Sequence, residues 1–388
     1  MSTGTTIDWS SQSFLADPYV HYRALRETDP VHFDEARGTW RLTRYRDMVE
    51  VLRDDQRFSA QRGGPQFDDV PRSMLSSDPP DHTRLRTLVN KAFTPRTVRQ
   101  LTGRIQELVD RSLDAVADRG EMEVIGEFAY PLPITVIAQM LGVPGEDRDF
   151  FRSASQKIAV ALGPVGDVQV AMGALEGRNQ LVDYFNRLIP ERRNEPRDDL
   201  ITALLEAEEA GDFLSHGELL AMLLLLLVAG HETTVNLIGN GLLALLRHPD
   251  QFERLRDEEG IERAAVEELL RYDSPVQMTG RVAKQDVEIG GRTIRAGQWV
   301  SAILASANRD PEVFEDPDTL DLTREPCNHL SFSAGIHFCL GAQLARLEGQ
   351  IALSTIVRRF PGLRLATDEL RWRPAPILRG LEALPVCF

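Results

Sequence analysis

Between residue 82 and about residue 270, apolar side chains recur at spacings of three and four. HTRLRTLVNKAF (82–93), LTGRIQELVDRSLDAVADRG (101–120) and ERAAVEELLRY (262–272) all show it. That is the period of one face of an α-helix. RDMVEVLRD (46–54) and GAQLARLEGQIALSTIVRRF (341–360) carry the same spacing. Gly120 and the LGVPG turn at 141–145 read as helix stops. Two segments break the pattern toward strands. VHFDEARGTWRLTRY (31–45) reads as a hairpin around Gly38, and VEIGGRTI (287–294) places Gly290-Gly291 where a tight type I′ turn needs them. QRGGPQFDDVPRSMLSSDPPD (61–81) reads as a long loop. No repeat, low-complexity tract or linker interrupts the chain. The expectation is a mainly α fold with a small β portion, one domain over residues 1–388.

The stretch LLLLLVAGHETT (223–234) stands out within the pattern. A helix apolar on every side is a buried helix. Glu232, Thr233 and Thr234 follow directly, and LIGNGLLALL (237–246) then resumes the apolar run, so the polar patch is interior. A plain reading has the helix emerging into solvent, with Thr233 bonding back to the carbonyl of residue 229. A second has Gly230 kinking the helix to make room for a small ligand beside an acid and a hydroxyl. A buried carboxylate needs a partner or a shifted pKa.

FSAGIHFCLG (332–341) raises the matching question for Cys339, one of three cysteines with Cys327 and Cys387. A small buried hydrophobe is one reading. A zinc site with Cys327, His329 and His337 is another, although the spacing is unusual for structural zinc. A thiolate ligand to haem iron is the third. The position at a helix start would lower the thiol pKa. Gly335 and Gly341 would allow positive φ and a flat approach to a planar ligand. Phe332 and Phe338 would pack on that ligand, and His337 would reach a peripheral carboxylate.

The segment resembles the haem-binding signature of the cytochrome P-450 family, Phe-x-x-Gly-x-(His or Arg)-x-Cys-x-Gly, at Phe332, Gly335, His337, Cys339 and Gly341. Ser333 stands where many members have glycine. Ala229, Gly230, His231, Glu232, Thr233 and Thr234 resemble the family's oxygen-binding segment. The resemblance runs in order and spacing along nearly the whole chain, through DPPDHTRLR, AGHETT, EELLR and ANRDPEVFEDPDTLDLTRE. It implies the cytochrome P-450 fold, with haem b (iron protoporphyrin IX) between the AGHETT helix and the cysteine-led helix. Cys339 would be the axial thiolate ligand, Glu232 the proton relay and Thr233 the partner of bound oxygen. His82, Arg86, Arg281 and His337 would hold the propionates. Glu268 and Arg271 resemble the structural Glu-x-x-Arg pair, completed by Arg324; taken alone, their spacing suits an ordinary surface pair.

The chain is acidic, with 44 basic and 59 acidic residues for a net charge of −15. That opposes nucleic-acid binding and attraction to anionic membranes. The N-terminus has no apolar run, and the run at 219–230 falls short of the roughly 18 residues of a membrane span. The expectation is a cytoplasmic monomer. Neither GxGxxG nor an iron–sulfur cysteine cluster is present, so electrons would come from a ferredoxin and its reductase, or another flavoprotein. Arg84, Arg86, Lys91, Arg96 and Arg99 form a basic patch suited to an acidic partner. By family analogy the substrate would meet the 61–77 loop, the Gly-rich region near 150–180, Ala229, Gly230, and Val276, Gln277, Met278 and Thr279. A medium-to-large, mostly apolar molecule fits that lining. Peroxide-driven oxidation and non-catalytic haem sensing are the alternatives to O2-dependent monooxygenation. The Glu232–Thr233 pair argues against both.

Overall fold

The computed structural model describes residues 7–9, 11–61, 70–160, 168–209 and 211–388. Helices carry most of the chain, as the periodicity predicts. They include Tyr45–Arg53, Asp81–Ala92, Thr102–Asp114 and Glu262–Tyr272. Gly120 ends its helical segment in the left-handed region at φ 69°, which a residue with a Cβ adopts at a cost.

The central element is one helix, His216–Arg247. Ser215 caps it, and Glu218 closes the capping box by accepting from the Ser215 backbone N–H. Almost every residue from Leu219 to Leu245 is buried or faces an internal cavity. Each buried leucine contributes roughly 2 kcal/mol by leaving water. This is the one described helix long and apolar enough to cross a membrane; two thirds of its apolar window is buried inside the protein. It packs against Pro131–Met140, Glu262–Tyr272 and Ala342–Arg359. The helix is continuous through Gly230, so the predicted kink is not a break in it. The glycine borders the cavity and also serves contact: a Cβ there would meet Ile137 Cγ1 at 3.2 Å. Removing the side chain lets helix Pro131–Met140 come close.

Both predicted hairpins form. Val31–Asp34 pairs antiparallel with Thr39–Leu42, which continues into a five-stranded sheet through Trp299–Ala302, Thr279–Ala283 and Phe58–Ser59. The Thr39–Leu42 and Trp299–Ala302 strands run parallel, the others antiparallel. Val287–Ile289 and Arg292–Ile294 are joined by Gly290 and Gly291 at φ 54° and 77°, as a type I′ turn requires. A three-stranded sheet joins Arg364–Leu365, Pro385–Cys387 and Glu121–Glu123. A single core cluster extends from Trp9 to Val386. The sheet and the cysteine loop flank the central helix, and the cavity between them holds the candidate site.

Candidate active site

The cysteine loop is built on turns rather than on a regular element. Gly335 is left-handed at φ 71°, and a Cβ there would meet the Leu52 carbonyl oxygen at 2.4 Å. Glycine lets the loop lie on helix Tyr45–Arg53. Ser333 is also left-handed, at φ 62°, and its hydroxyl is buried without a partner. The Cys339 N–H donates to the Phe332 carbonyl, closing the loop. Helix Ala342–Arg359 begins three residues later, and the Gly341 and Ala342 N–H groups face the sulfur.

Three expectations about this loop are corrected. Gly341 is not left-handed; its φ is −79°, and open space lies where a Cβ would stand. The Cys339 thiol pKa is raised, not lowered. Burial dominates, and the Gly341 and Ala342 N–H groups with Arg86 and Arg346 offset only part of it. Phe338 lies on the outer surface, away from the cavity, while Phe332 is buried beneath the Arg346 guanidinium at 4.5 Å.

Cys339 opens into a cavity of about 340 Å3. Phe332, Gly341, Leu344 and Ala345 form its wall on the cysteine side. Ala229, Gly230, Glu232 and Thr233 of the central helix form another. The Thr233 hydroxyl donates to the Ala229 carbonyl at 3.1 Å, so its lone pairs remain for the cavity. Glu232 is buried; its Oε2 accepts from Arg373 Nη1 at 2.8 Å, and Oε1 lies 3.5 Å from His231 Nε2. Burial alone would raise the Glu232 pKa, but His231 and Arg373 outweigh it and hold the carboxyl below its ordinary value.

The cations gather at one rim. Arg86, Arg281 and His337 border the cavity. His82 sits behind His337, ring centroids 4.3 Å apart. Both His82 ring nitrogens are buried without a hydrogen-bond partner. Arg86 Nη2 donates to the Phe338 carbonyl at 2.8 Å, and Arg281 Nη1 to the Gly280 carbonyl at 2.8 Å. Burial, then Arg281 and His82, push the His337 pKa down to about 3. Burial, then Arg86 and Arg281, lower that of His82. Several donors crowded at one edge of an apolar cavity, two of them orphaned on His82, suit a ligand with peripheral carboxylates. Together with the cysteine facing the cavity, the residues fit haem.

Val276, Met278 and Thr279 line the cavity, with Met74 and Leu75. Gln277 does not, which corrects its expected substrate contact. Its amide is buried, donating to the Ser274 carbonyl at 2.7 Å and accepting from Tyr22 Oη at 3.0 Å. Val276 and Met278 on either side of it face the cavity, while its own side chain turns the other way, into the contacts with Ser274 and Tyr22. No described residue from 150–180 borders the cavity. Gly177 instead permits helix contact, since a Cβ there would meet the Ala154 carbonyl oxygen at 2.5 Å. Residues 62–69 and 161–167 of the expected lining lie outside the described residues.

Glu268 and Arg271 are no surface pair: both are fully buried. Arg271 Nε and Nη2 bind the Glu268 carboxylate at 2.6 and 2.7 Å, and Arg324 Nε adds bonds at 3.2 and 3.1 Å. Arg271 also donates to the carbonyls of Asn308, Pro317 and Thr319. The cluster ties helix Glu262–Tyr272 to the segment leading into the cysteine loop. Cys327 lies against Glu268, and His329 Nε2 meets Glu267 at 3.0 Å. Among the described residues, no group of three or more His, Cys, Asp or Glu side chains is placed to hold a metal ion.

Sequence reasoning missed Arg373, the partner of Glu232, which is remote in sequence and carries no motif. It also missed Glu348, which borders the cavity with both carboxyl oxygens unpartnered. A lone acid on the inner face of GAQLARLEGQIALSTIV was the available signal.

A model of the cytochrome P450 family matches residues 172–369. "Cytochrome P450 107B1" of Saccharopolyspora erythraea is 45% identical, covering 100% of this chain and 99% of its own. A vitamin D(3) 25-hydroxylase of Pseudonocardia autotrophica is 44% identical over 99% of this chain and 97% of its own. The structure of PksS, a cytochrome P450 of the bacillaene polyketide synthase of Bacillus subtilis, superposes with a TM-score of 0.93 at 41% identity, covering 98% of this chain and 99% of that one.

Proposed function

The chain belongs to the cytochrome P450 family, and we propose how its own residues carry that family's chemistry. It is a haem-dependent monooxygenase, its fold is that of the bacterial P450s, and its cofactor is haem held by a cysteine thiolate. When bound, haem supplies the reductive activation of O2, and a thiolate ligand favours O–O cleavage.

In our reading Cys339 is that ligand, and residues 1–388 act as one domain. Arg86, Arg281 and His337 receive the propionates, with His82 behind them. Glu232 would hold and pass a proton at the cavity wall, and Thr233, its own proton given to the Ala229 carbonyl, would turn its hydroxyl lone pairs to the cavity. The observation that carries this is the shared cavity, bordered by Cys339 on one wall and by Glu232 and Thr233 on another. Arg373 holds Glu232 Oε2, and Oε1, buried 3.5 Å from His231 Nε2, is left as the oxygen that takes and gives the proton. The apolar lining excludes water and protects the oxidant. Val276, Met278, Thr279, Met74 and Leu75 place a medium-to-large, mostly apolar substrate. The names of the relatives, a vitamin D(3) hydroxylase and a polyketide-synthase P450, support that class. Electrons come from a ferredoxin and reductase, and the enzyme works as a cytoplasmic monomer.

The test is spectral and kinetic. Cys339→Ser is expected to lose the thiolate-type spectrum of the reduced carbon monoxide complex; retention of that spectrum sinks the assignment. Thr233→Ala is expected to divert reductant into hydrogen peroxide with haem intact. Turnover with O2 and a surrogate reductase, and little with peroxide alone, separates monooxygenation from a peroxygenase.

A further inference from the structure

The carboxylate next to Glu268 belongs to a second network that the reaction as described leaves unused. Glu267 lies on helix Glu262–Tyr272. Arg346, on the cysteine-led helix Ala342–Arg359, binds both Glu267 oxygens through Nε and Nη2, the latter at 2.9 Å. His329 Nε2 lies 3.0 Å from the same carboxylate. The Ser331 N–H points at His329 Nδ1 from 3.2 Å. A backbone N–H only donates, so Nδ1 accepts and the ring donates from Nε2 to Glu267. Burial would raise the Glu267 pKa, but His329 and Arg346 outweigh it and hold the carboxyl down at about 2. Glu267 is thus a fixed anion that keeps Arg346 in one place.

That place is against the cysteine loop. The Arg346 guanidinium covers the Phe332 ring, 4.5 Å from its centroid. The Phe332 carbonyl accepts the Cys339 N–H at 3.0 Å, so the covered residue is one hydrogen bond from the cysteine. Leu344 and Ala345 of the same helix border the cavity, and Arg346 does not. Arg86 and Arg346 are the charges that bear most on the Cys339 sulfur, ahead of Glu267, and both favour a thiolate there. Arg86 stands at the rim read as the propionate site, where propionates would cancel its charge. Arg346 stands off that rim, and its charge is the one left to act on the sulfur.

We propose that Arg346, held by Glu267 and His329, is the cation that sets the charge on the Cys339 sulfur and, through it, the reduction potential of the bound haem. This rests on Cys339 being the haem ligand. A positive charge beside the thiolate draws electron density away from the iron and favours the state with one more electron. Glu267 fixes the distance at which that charge acts, and the Phe332 ring fills the space beneath it. Arg346 and Glu267 touch neither substrate nor the reacting atoms, so both are positioning residues.

The test is spectroelectrochemical titration of the holoenzyme, with the infrared C–O stretch of its reduced carbon monoxide complex as a second readout. Arg346→Gln is expected to lower the potential and the stretching frequency, because a more electron-rich thiolate pushes more density onto iron. Arg346→Lys keeps a charge there and is expected to shift both much less. Glu267→Gln leaves the cation uncompensated and is expected to move both the other way. Loosening of the loop would move Arg346→Gln and Glu267→Gln alike, so opposite signs separate the charge from a structural role. Shifts of the same sign in those two variants, or equal shifts in Arg346→Gln and Arg346→Lys, overturn the proposal. If Arg346→Gln does not accumulate with haem, Glu267→Gln decides, and a potential unchanged or lowered in it overturns the proposal. Failure of the ligand assignment is reported separately, by the carbon monoxide spectrum of Cys339→Ser.

Discussion

Two residues near the site carry a cost that variants can relieve. Ser333 is held left-handed with its hydroxyl buried and unpartnered. A Cβ in that region costs roughly 1–2 kcal/mol. Ser333→Gly is expected to stabilise the holoenzyme by about 1 kcal/mol, since glycine loses part of the gain through its freer unfolded chain; thermal unfolding at fixed haem saturation measures it. Glu348 is fully buried, and burial raises its pKa to about 8, with Thr234 offsetting little. Its folded pKa therefore lies above its unfolded value, so the native state binds the extra proton between about pH 4.5 and 8. Stability contributed there is present at acid pH and is lost as pH climbs through that window. Glu348→Gln cannot ionise. The difference in melting temperature, variant minus parent, is expected to grow from pH 5 to pH 8 and then level. A flat difference would show that Glu348 does not titrate in this range.

Among elements, the buried Glu268–Arg271–Arg324 cluster sets how the chain enters the cysteine loop. Removing one partner of a buried ion pair leaves an uncompensated charge, at roughly 3–5 kcal/mol. Glu268→Ala strands Arg271 and Arg324 together, and is expected to yield little folded holoenzyme. Arg324→Ala leaves the bidentate Glu268–Arg271 pair, with Arg324 the more exposed partner, and should cost less; haem content per chain after expression checks both. This cluster also shows what the sequence could and could not tell. The spacing of Glu268 and Arg271 was legible, but not their burial, because an i,i+3 pair looks the same inside and outside a protein. The cysteine and acid–threonine segments were legible because their chemistry is local in sequence. Arg373 was not, since tertiary packing alone brings it to Glu232. Gln277 was misplaced because a motif boundary does not say which side of an extended backbone faces the cavity. Gly230 does border the cavity, and its missing Cβ serves in addition a helix contact with Ile137 that no sequence pattern announces.

At the scale of the whole molecule, a net charge of −15 would repel an acidic electron donor. Screening changes that balance: at physiological salt the field fades within about 8 Å, so a docking partner responds to the patch beneath it rather than to the total. The basic patch predicted on residues 84–99 is narrower than its sequence suggested. Arg84 is committed to Asp212 and to Glu218, at the start of the central helix, and ties two elements together. Arg86 is turned to the cysteine loop through the Phe338 carbonyl. Arg96 and Arg99, on helix Pro95–Gln100, remain exposed, and that helix packs against the cysteine-led helix Ala342–Arg359. Ile336 and Phe338 expose apolar surface on the cysteine loop. Exposed positive charge on a helix packed against the cysteine-led helix, together with exposed apolar side chains on the cysteine loop, suits an acidic electron carrier. Arg96→Glu with Arg99→Glu is expected to slow reduction by ferredoxin about tenfold at low salt, with the difference shrinking as salt rises, because exposed charges act mainly on association rate. Arg84→Glu is expected to act differently, lowering stability at every salt concentration. Stopped-flow reduction across a salt series measures the first effect. A double variant reduced as fast as the parent at low salt would place the docking face elsewhere.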